Sequence, residues 1–249
     1  MSSITMSSIV FACVFGGALV GLLLHAVLPH HHLGADTKDI VKLGMGLVGT
    51  MAALVLGLLV ASAKGSYDAQ SAEVTQLAAN VALLDRVLAR YGPETKDMRA
   101  FLRVAAIRAL DQMWPKDNAT QFAPTATGAE VFYEKIQGLS PKDDTQRSLQ
   151  SQATSIAMDI GKMRWLMYEQ AVGSVSLPLL VILVLWLTAI FVSFGLFAPF
   201  NATVVGSLFI AALSVSCAIF LILEMYTPYT GFVQISSAPL RAAIAQLGQ

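Results

Sequence analysis

VSLPLLVILVLWLTAIFVSFGLFA, residues 175–198, and TVVGSLFIAALSVSCAIFLILEM, residues 203–225, decide the fold. Each run holds the roughly 20 residues that cross a hydrocarbon core at a helix's rise per residue. The only charged side chain in either is Glu224, in the last turn of the second run. Two more such runs stand at the other end of the chain, at about residues 8–28 and 43–63, and a long polar stretch separates the pairs. The expectation is an all-α, polytopic membrane protein with four transmembrane helices and a cytoplasmic helical bundle inserted between the second and third. Its parts are then residues 1–63 with transmembrane helices 1 and 2, 64–172 as the cytoplasmic helical domain, 173–225 with helices 3 and 4, and 226–249 as a cytoplasmic tail with a short helix.

Charge sets the expected orientation. Four spans put the N-terminus, residues 64–172 and the tail on one side, leaving 29–42 and 199–202 on the other. Of the 16 Lys and Arg, only Lys38 and Lys42 fall on the second side. The excess of cations marks the first side as cytoplasmic, with the protein multi-pass in a cell inner membrane. No Lys or Arg precedes residue 38 and no small-x-small cleavage site follows the first span, so that span is expected to be retained.

The charged fraction is 13% with formal net charge zero, which gives nucleic acid no electrostatic footing. Cys13 and Cys217, both inside spans, are too few and too deep for a disulfide framework and read as packing residues. His30, His31 and His32 follow the first span, with His25 shortly before them. Three adjacent histidines cannot aim all their rings at one ion from a regular helix, so no metal and no cofactor is expected.

Small residues recur at helical spacing in three spans. Gly17 and Gly21 lie on the first, with Cys13 and His25 extending the row; Gly49, Ala53, Gly57 and Ala61 lie on the second; Ser207, Ala211, Ser214 and Ala218 lie on the fourth. Such rows let helix backbones approach closely, which is how helices associate in lipid. Packing within the chain accounts for most of them and leaves room for packing against copies of itself. Another face of the second span carries Leu47, Met51, Leu54 and Leu58. That stripe is first of all what a lipid-facing surface looks like; the alternative is a ring of apolar side chains narrowing an axial pore, where dewetting gates ions.

Between the spans the pattern is helical. Val74, Leu77, Val81, Leu84 and Leu88 keep a 3-4-3-4 rhythm, so the second span should continue as one long helix until Gly92-Pro93. Further helices are expected at about 94–113 and 129–139 and from Ser140-Pro141-Lys142-Asp143 onward, the serine acting as cap. Residues 236–247 should form a short amphipathic helix, begun by Ser237 and Pro239, that docks on the bundle.

Four strings, LAANVALLDRVLARYGPE, SLQSQATSIAMDIGKMRW, FGLFAPFNATVV and LILEMYTPYTGFVQISSAPLR, resemble the bestrophin-like domain family of bacterial and plant membrane proteins. The resemblance extends from about residue 43 to 249, and the last two strings are its most specific parts. It implies a remote relation to bestrophins, pentameric anion channels whose second helix lines a hydrophobic neck, and so favours a pentamer here. Bestrophin necks are rich in aromatic residues, whereas the matching face here is Leu47, Met51, Leu54 and Leu58. No motif stands for the acidic calcium clasp of animal bestrophins.

No metal-spaced His pair, nucleophile elbow, phosphate loop or Cys-x-x-Cys is present, so an enzyme is not expected. Glu224, an intramembrane carboxylate, is a functional candidate by default, with pairing to Lys64, Lys162 or Arg164 as the structural alternative. The sequence therefore leads to a homo-oligomeric channel for anions such as chloride, in contact with membrane lipid and copies of itself, its axial pore lined by the second span. Arg86, Arg90, Lys96, Arg99 and Arg103 could form a positive cytoplasmic mouth or an ordinary solvated face. The alternative is a non-conducting, membrane-anchored scaffold that recruits a cytoplasmic partner.

Overall fold

The computed structural model describes residues 2–29, 34–115, 126–171 and 176–248. Among them every regular element is helical: α1 Ser3–Val27, α2 Ala35–Tyr91, a 3₁₀ turn Pro93–Thr95, α3 Lys96–Met113, α4 Ala126–Gln137, α5 Asp144–Ala171, α6 Leu177–Leu196, α7 Ala202–Met225 and α8 Ala238–Gln246. Four of these, α1, α2, α6 and α7, are long and apolar enough to cross a membrane. The second span begins earlier than its apolar run, because the charged turn containing Asp36, Lys38, Asp39 and Lys42 is already helical. With no Pro between residues 30 and 92 to interrupt it, α2 runs as one helix of 57 residues, as its apolar rhythm implied.

The chain divides into two compact units. The first comprises residues 1–66 and 174–226, that is α1, the first part of α2, α6 and α7. Polar caps open α1 and α7: the Ser2 hydroxyl accepts from the Thr5 amide at 3.2 Å, and Asn201 Oδ1 accepts from the Val204 amide at 2.8 Å. Val14, Ala18, Leu183, Ala212 and Ile219 are fully enclosed where α1, α6 and α7 meet. Phe11 and Phe15 of α1 both meet Phe209 of α7 edge-to-face, at centroid distances of 5.5 and 5.4 Å. Within a bilayer such contacts act through dispersion, since lipid chains are as apolar as the side chains they replace.

Backbone proximity is greatest between α1 and α6. A Cβ on Gly21 would collide with the Val192 carbonyl and lie 2.9 Å from the Leu196 nitrogen. One on Gly195 would collide with the Ala18 carbonyl and lie 2.8 Å from the Leu22 nitrogen. Gly17 lies one turn further along, where a Cβ would come within 2.9 Å of Thr188 Cγ2. One turn beyond Gly21, His25 Nδ1 lies 2.8 Å from the carbonyl of Leu196. That carbonyl ends α6 and has no partner within its own helix, so a proton on Nδ1 satisfies it. His25 is thus a helix-end partner, while His30, His31 and His32 lie outside the described residues. Cys13 and Cys217 differ from the expectation: both are exposed in the protomer and pack against little.

The second unit comprises residues 67–173 and 227–249. The last part of α2 buries Val74, Leu77, Leu84 and Leu88 against Met98 and Leu102 of α3, Ile136 of α4 and Ala153 and Met167 of α5. Gly92 turns α2 into α3 at φ 140°, a backbone conformation that a side chain would strain. Thr95, fully buried, donates its hydroxyl to the carbonyl of Leu88.

The cap of α5 is Asp143 rather than Ser140. Asp143 Oδ1 accepts from the Gln146 amide at 2.7 Å, while Gln146 Oε1 accepts from the Lys142 amide at 2.8 Å. A carboxylate at the positive end of a helix outcompetes a hydroxyl three residues earlier. The C-terminal segment packs onto this unit. Trp114 Nε1 donates to the Ile235 carbonyl at 2.9 Å, the Tyr67 hydroxyl donates to that of Gln234 at 3.1 Å, and α8 buries Leu240 and Ala243 beside Ala78.

Candidate functional site

Helix α2 is the least enclosed of the four apolar helices. In its membrane-length part only Ala52, Leu59 and Ala63 are buried, with Val48, Val55 and Leu56 packed beside them. The opposite side is open. Leu47, Met51, Leu54 and Leu58 are 66%, 48%, 73% and 62% exposed, so among the described residues this apolar stripe is left largely open. The adjoining small-residue row is open too: a Cβ on Gly57 would meet nothing within 4 Å, one on Gly49 only Ile190 Cδ1 at 3.9 Å, and Ala53 and Ala61 are exposed.

On α7 the residues that pack inward are Leu208, Ala212, Ser216, Ile219 and Leu223. Ser207, Ala211 and Ser214 lie on the exposed side, and Ala218 is half-buried. The Ser207 and Ser214 hydroxyls satisfy themselves by donating to the carbonyls of Thr203 and Ile210, at 2.9 and 2.8 Å. Two small-residue rows thus run along α7, and Ala212 with Ser216 marks the one used within the chain. Of the three rows read from sequence, that of Gly17 and Gly21 forms a tight contact inside the protomer.

Glu224 is 4% exposed in the last turn of α7, beside the buried Ile222 and Leu223. Just beyond it, the Tyr226 hydroxyl donates to Ser62 Oγ of α2 at 3.1 Å, tying the end of α7 to α2. The carboxylate therefore belongs to the packed interior of the first unit rather than to its open face.

The basic residues divide in two. Arg86 and Arg90 on α2, with Lys96 and Arg103 on α3, are exposed. Arg99 is engaged. Its Nε and Nη2 donate to the two carboxylate oxygens of Asp85, each at 2.8 Å, in a fork-to-fork pair with Asp85 only 4% exposed. The bond to Asp85 holds the Arg99 guanidinium above its usual range against the opposing pull of burial. The Gly248 amide adds a donor to Asp85 Oδ2 at 3.3 Å, so this pair also holds the chain's C-terminal end. Arg164, partly buried near the end of α5, is shifted the other way, downward by desolvation. Among the described residues no cluster of His, Cys, Asp or Glu is arranged to hold a metal ion.

A family model for the bestrophin-like domain matches residues 11–240. The chain belongs to the bestrophin-like family. No curated protein and no solved structure matches it. The match reaches both units of this bestrophin-like chain, including the open face of α2, the Gly21–Gly195 crossing and the tail as far as residue 240, within the first turn of α8.

Sequence reasoning missed two of these features. Gly195 is a lone glycine on α6 whose counterparts sit on α1, so no spacing within one helix reveals it. Asp85 was findable: it is the one carboxylate between the apolar positions Val81, Leu84 and Leu88, where it requires a partner.

Proposed function

We propose that this bestrophin-like protein assembles with copies of itself into a channel that conducts anions such as chloride, along an axial pore lined by α2. The open apolar stripe is the observation that carries the reading: four large apolar side chains over three turns, with no charge among them and most of their surface uncovered by the described residues. Brought around a symmetry axis, such stripes form a narrow apolar ring, which passes partly dehydrated ions and closes by drying. Ala53, Gly57 and Ala61 beside the stripe let neighbouring copies of α2 approach, and a closed ring of like interfaces follows from rotational symmetry. Five copies are the number the family resemblance favours.

Exposed Arg86, Arg90, Lys96 and Arg103 would raise the local anion concentration at a cytoplasmic mouth, with Arg99 reserved for Asp85. The protein acts without a cofactor and catalyses no reaction. Its place is an inner membrane, with both termini and the second unit in the cytoplasm. Imaging of the assembled particle in a lipid disc tests this reading. A continuous axial path bordered by Leu47, Met51, Leu54 and Leu58 is expected; an assembly with those four on lipid and no path through it would instead favour the membrane-anchored scaffold.

A further inference from the structure

The first unit contains a groove of about 540 Å³ between the start of α2 and the end of α6. Met45, Ile190, Phe194 and Phe197 supply apolar walls, and Gly46 and Gly49 supply its depth by omitting side chains. Lys38 and Lys42, one turn apart, stand at the end where α2 begins. They are the only two cations on that side of the four spans. Asp36 and Asp39 belong to the same turns but do not line the groove.

An apolar trough that is open along a membrane-spanning helix and ends at two ammonium groups does not match water, free ions or a neutral lipid. It matches an amphiphile with an anionic head. We infer that this groove binds an anionic phospholipid of the bilayer, its phosphate between Lys38 and Lys42 and the start of an acyl chain along Gly46, Gly49, Ile190 and Phe194. Basic pockets between transmembrane helices hold phospholipid headgroups on the cytoplasmic side by such charge pairing, and two ammonium groups pair with a phosphate equally in the opposite leaflet. The volume lies in the range of specific ligand sites. Nothing in this inference depends on ion conduction.

Delipidated full-length protein in detergent, titrated with phosphatidylglycerol, phosphatidylcholine or inorganic phosphate and observed by native mass spectrometry, tests the site. Phosphatidylglycerol should bind in preference to phosphatidylcholine, and inorganic phosphate alone should not bind. Lys38→Gln and Lys42→Gln should each weaken phosphatidylglycerol roughly fivefold, as expected for one ammonium near a lipid phosphate. Gly46→Leu, whose side chain enters open space and leaves folding intact, should fill the trough and abolish that preference. Phosphatidylglycerol binding that ignores both lysine changes would overturn the proposal. So would phosphate binding that is lost with the lysines but unaffected by Gly46→Leu, which would mark a site for free anions. Gly46→Leu that reduces the oligomer mass while leaving lipid binding unchanged would show a second copy in the groove and equally overturn it.

Discussion

Gly21 of α1 and Gly195 of α6 each face the backbone of the other helix, and neither has room for a methyl group. The obstructing atoms are main-chain carbonyls of Val192 and Ala18, which cannot move aside as a flexible side chain does. Gly21→Ala and Gly195→Ala should therefore each lower protomer stability by about 2 kcal/mol or more, the scale of overpacking in a close-packed interior. The measurement is the thermal unfolding midpoint in detergent. Gly16→Ala, on the same helix with open space around it, is the control and should leave the midpoint unchanged.

Gly57 offers the contrasting case. Its surroundings within the chain are empty, so Gly57→Leu should leave the protomer folded and disturb only contacts between copies. Mass measurement of the purified particle should show a smaller assembly. An intact oligomer of unchanged stability would place this row on lipid.

Asp85 and Arg99 form an enclosed ion pair in the second unit, with side chains 5% and 19% exposed. Removing one partner strands the other, so Asp85→Ala should cost about 3 kcal/mol in denaturant unfolding. Arg99→Lys keeps the charge but loses the fork, and should recover only part of that loss. By contrast, Lys142 and Glu94 lie 2.6 Å apart at the solvated surface, and Lys142→Ala should have little effect.

Much of this architecture was legible because hydropathy has to match a bilayer. The all-α class and the four apolar helices follow from runs whose length and lack of charge admit few other folds. Helix limits were less legible where charge masks helicity: Asp36 to Lys42 begin α2 although they read as a loop. The Asp143 cap was missed because Ser140-Pro141 carries the same signature three residues earlier. The inward row of α7 was displaced, since Ala211 and Ala212 offer two small-residue rows, and only three-dimensional packing selects between them. Along the open stripe of α2, Leu47 to Leu58 look alike facing lipid or facing an axis.

Tyr229 titration gives a prediction for alkaline pH. Its hydroxyl is buried with no hydrogen-bond partner among the described residues, beside Trp114, and burial together with nearby Glu73 raises its pKa above 10. A group whose pKa is higher folded than unfolded contributes stability that is complete below its unfolded value and is lost as pH rises through the folded value. Stability should therefore fall as pH climbs above about 10. Tyr229→Phe should remove that dependence and, by deleting a buried unpaired hydroxyl, leave neutral-pH stability equal or about 1 kcal/mol higher. Urea unfolding at several pH values reads both effects.

Orientation is tested by labelling. Asp144 is almost fully exposed in the second unit, and Asp36 is exposed at the start of α2. With the native thiols replaced by serine, Asp36→Cys should react with a membrane-impermeant reagent in intact cells and Asp144→Cys only after lysis. The reverse pattern would put the exposed arginines outside and remove the cytoplasmic mouth.

Conduction along α2 is tested most directly by chloride flux from liposomes containing wild-type or Leu54→Ser protein. A hydroxyl in place of the most exposed leucine of the stripe would wet the constriction. The account predicts dissipation of a chloride gradient by wild type and a severalfold faster loss through Leu54→Ser. Equal rates for the two proteins, or no flux through either where a control channel conducts, would contradict it.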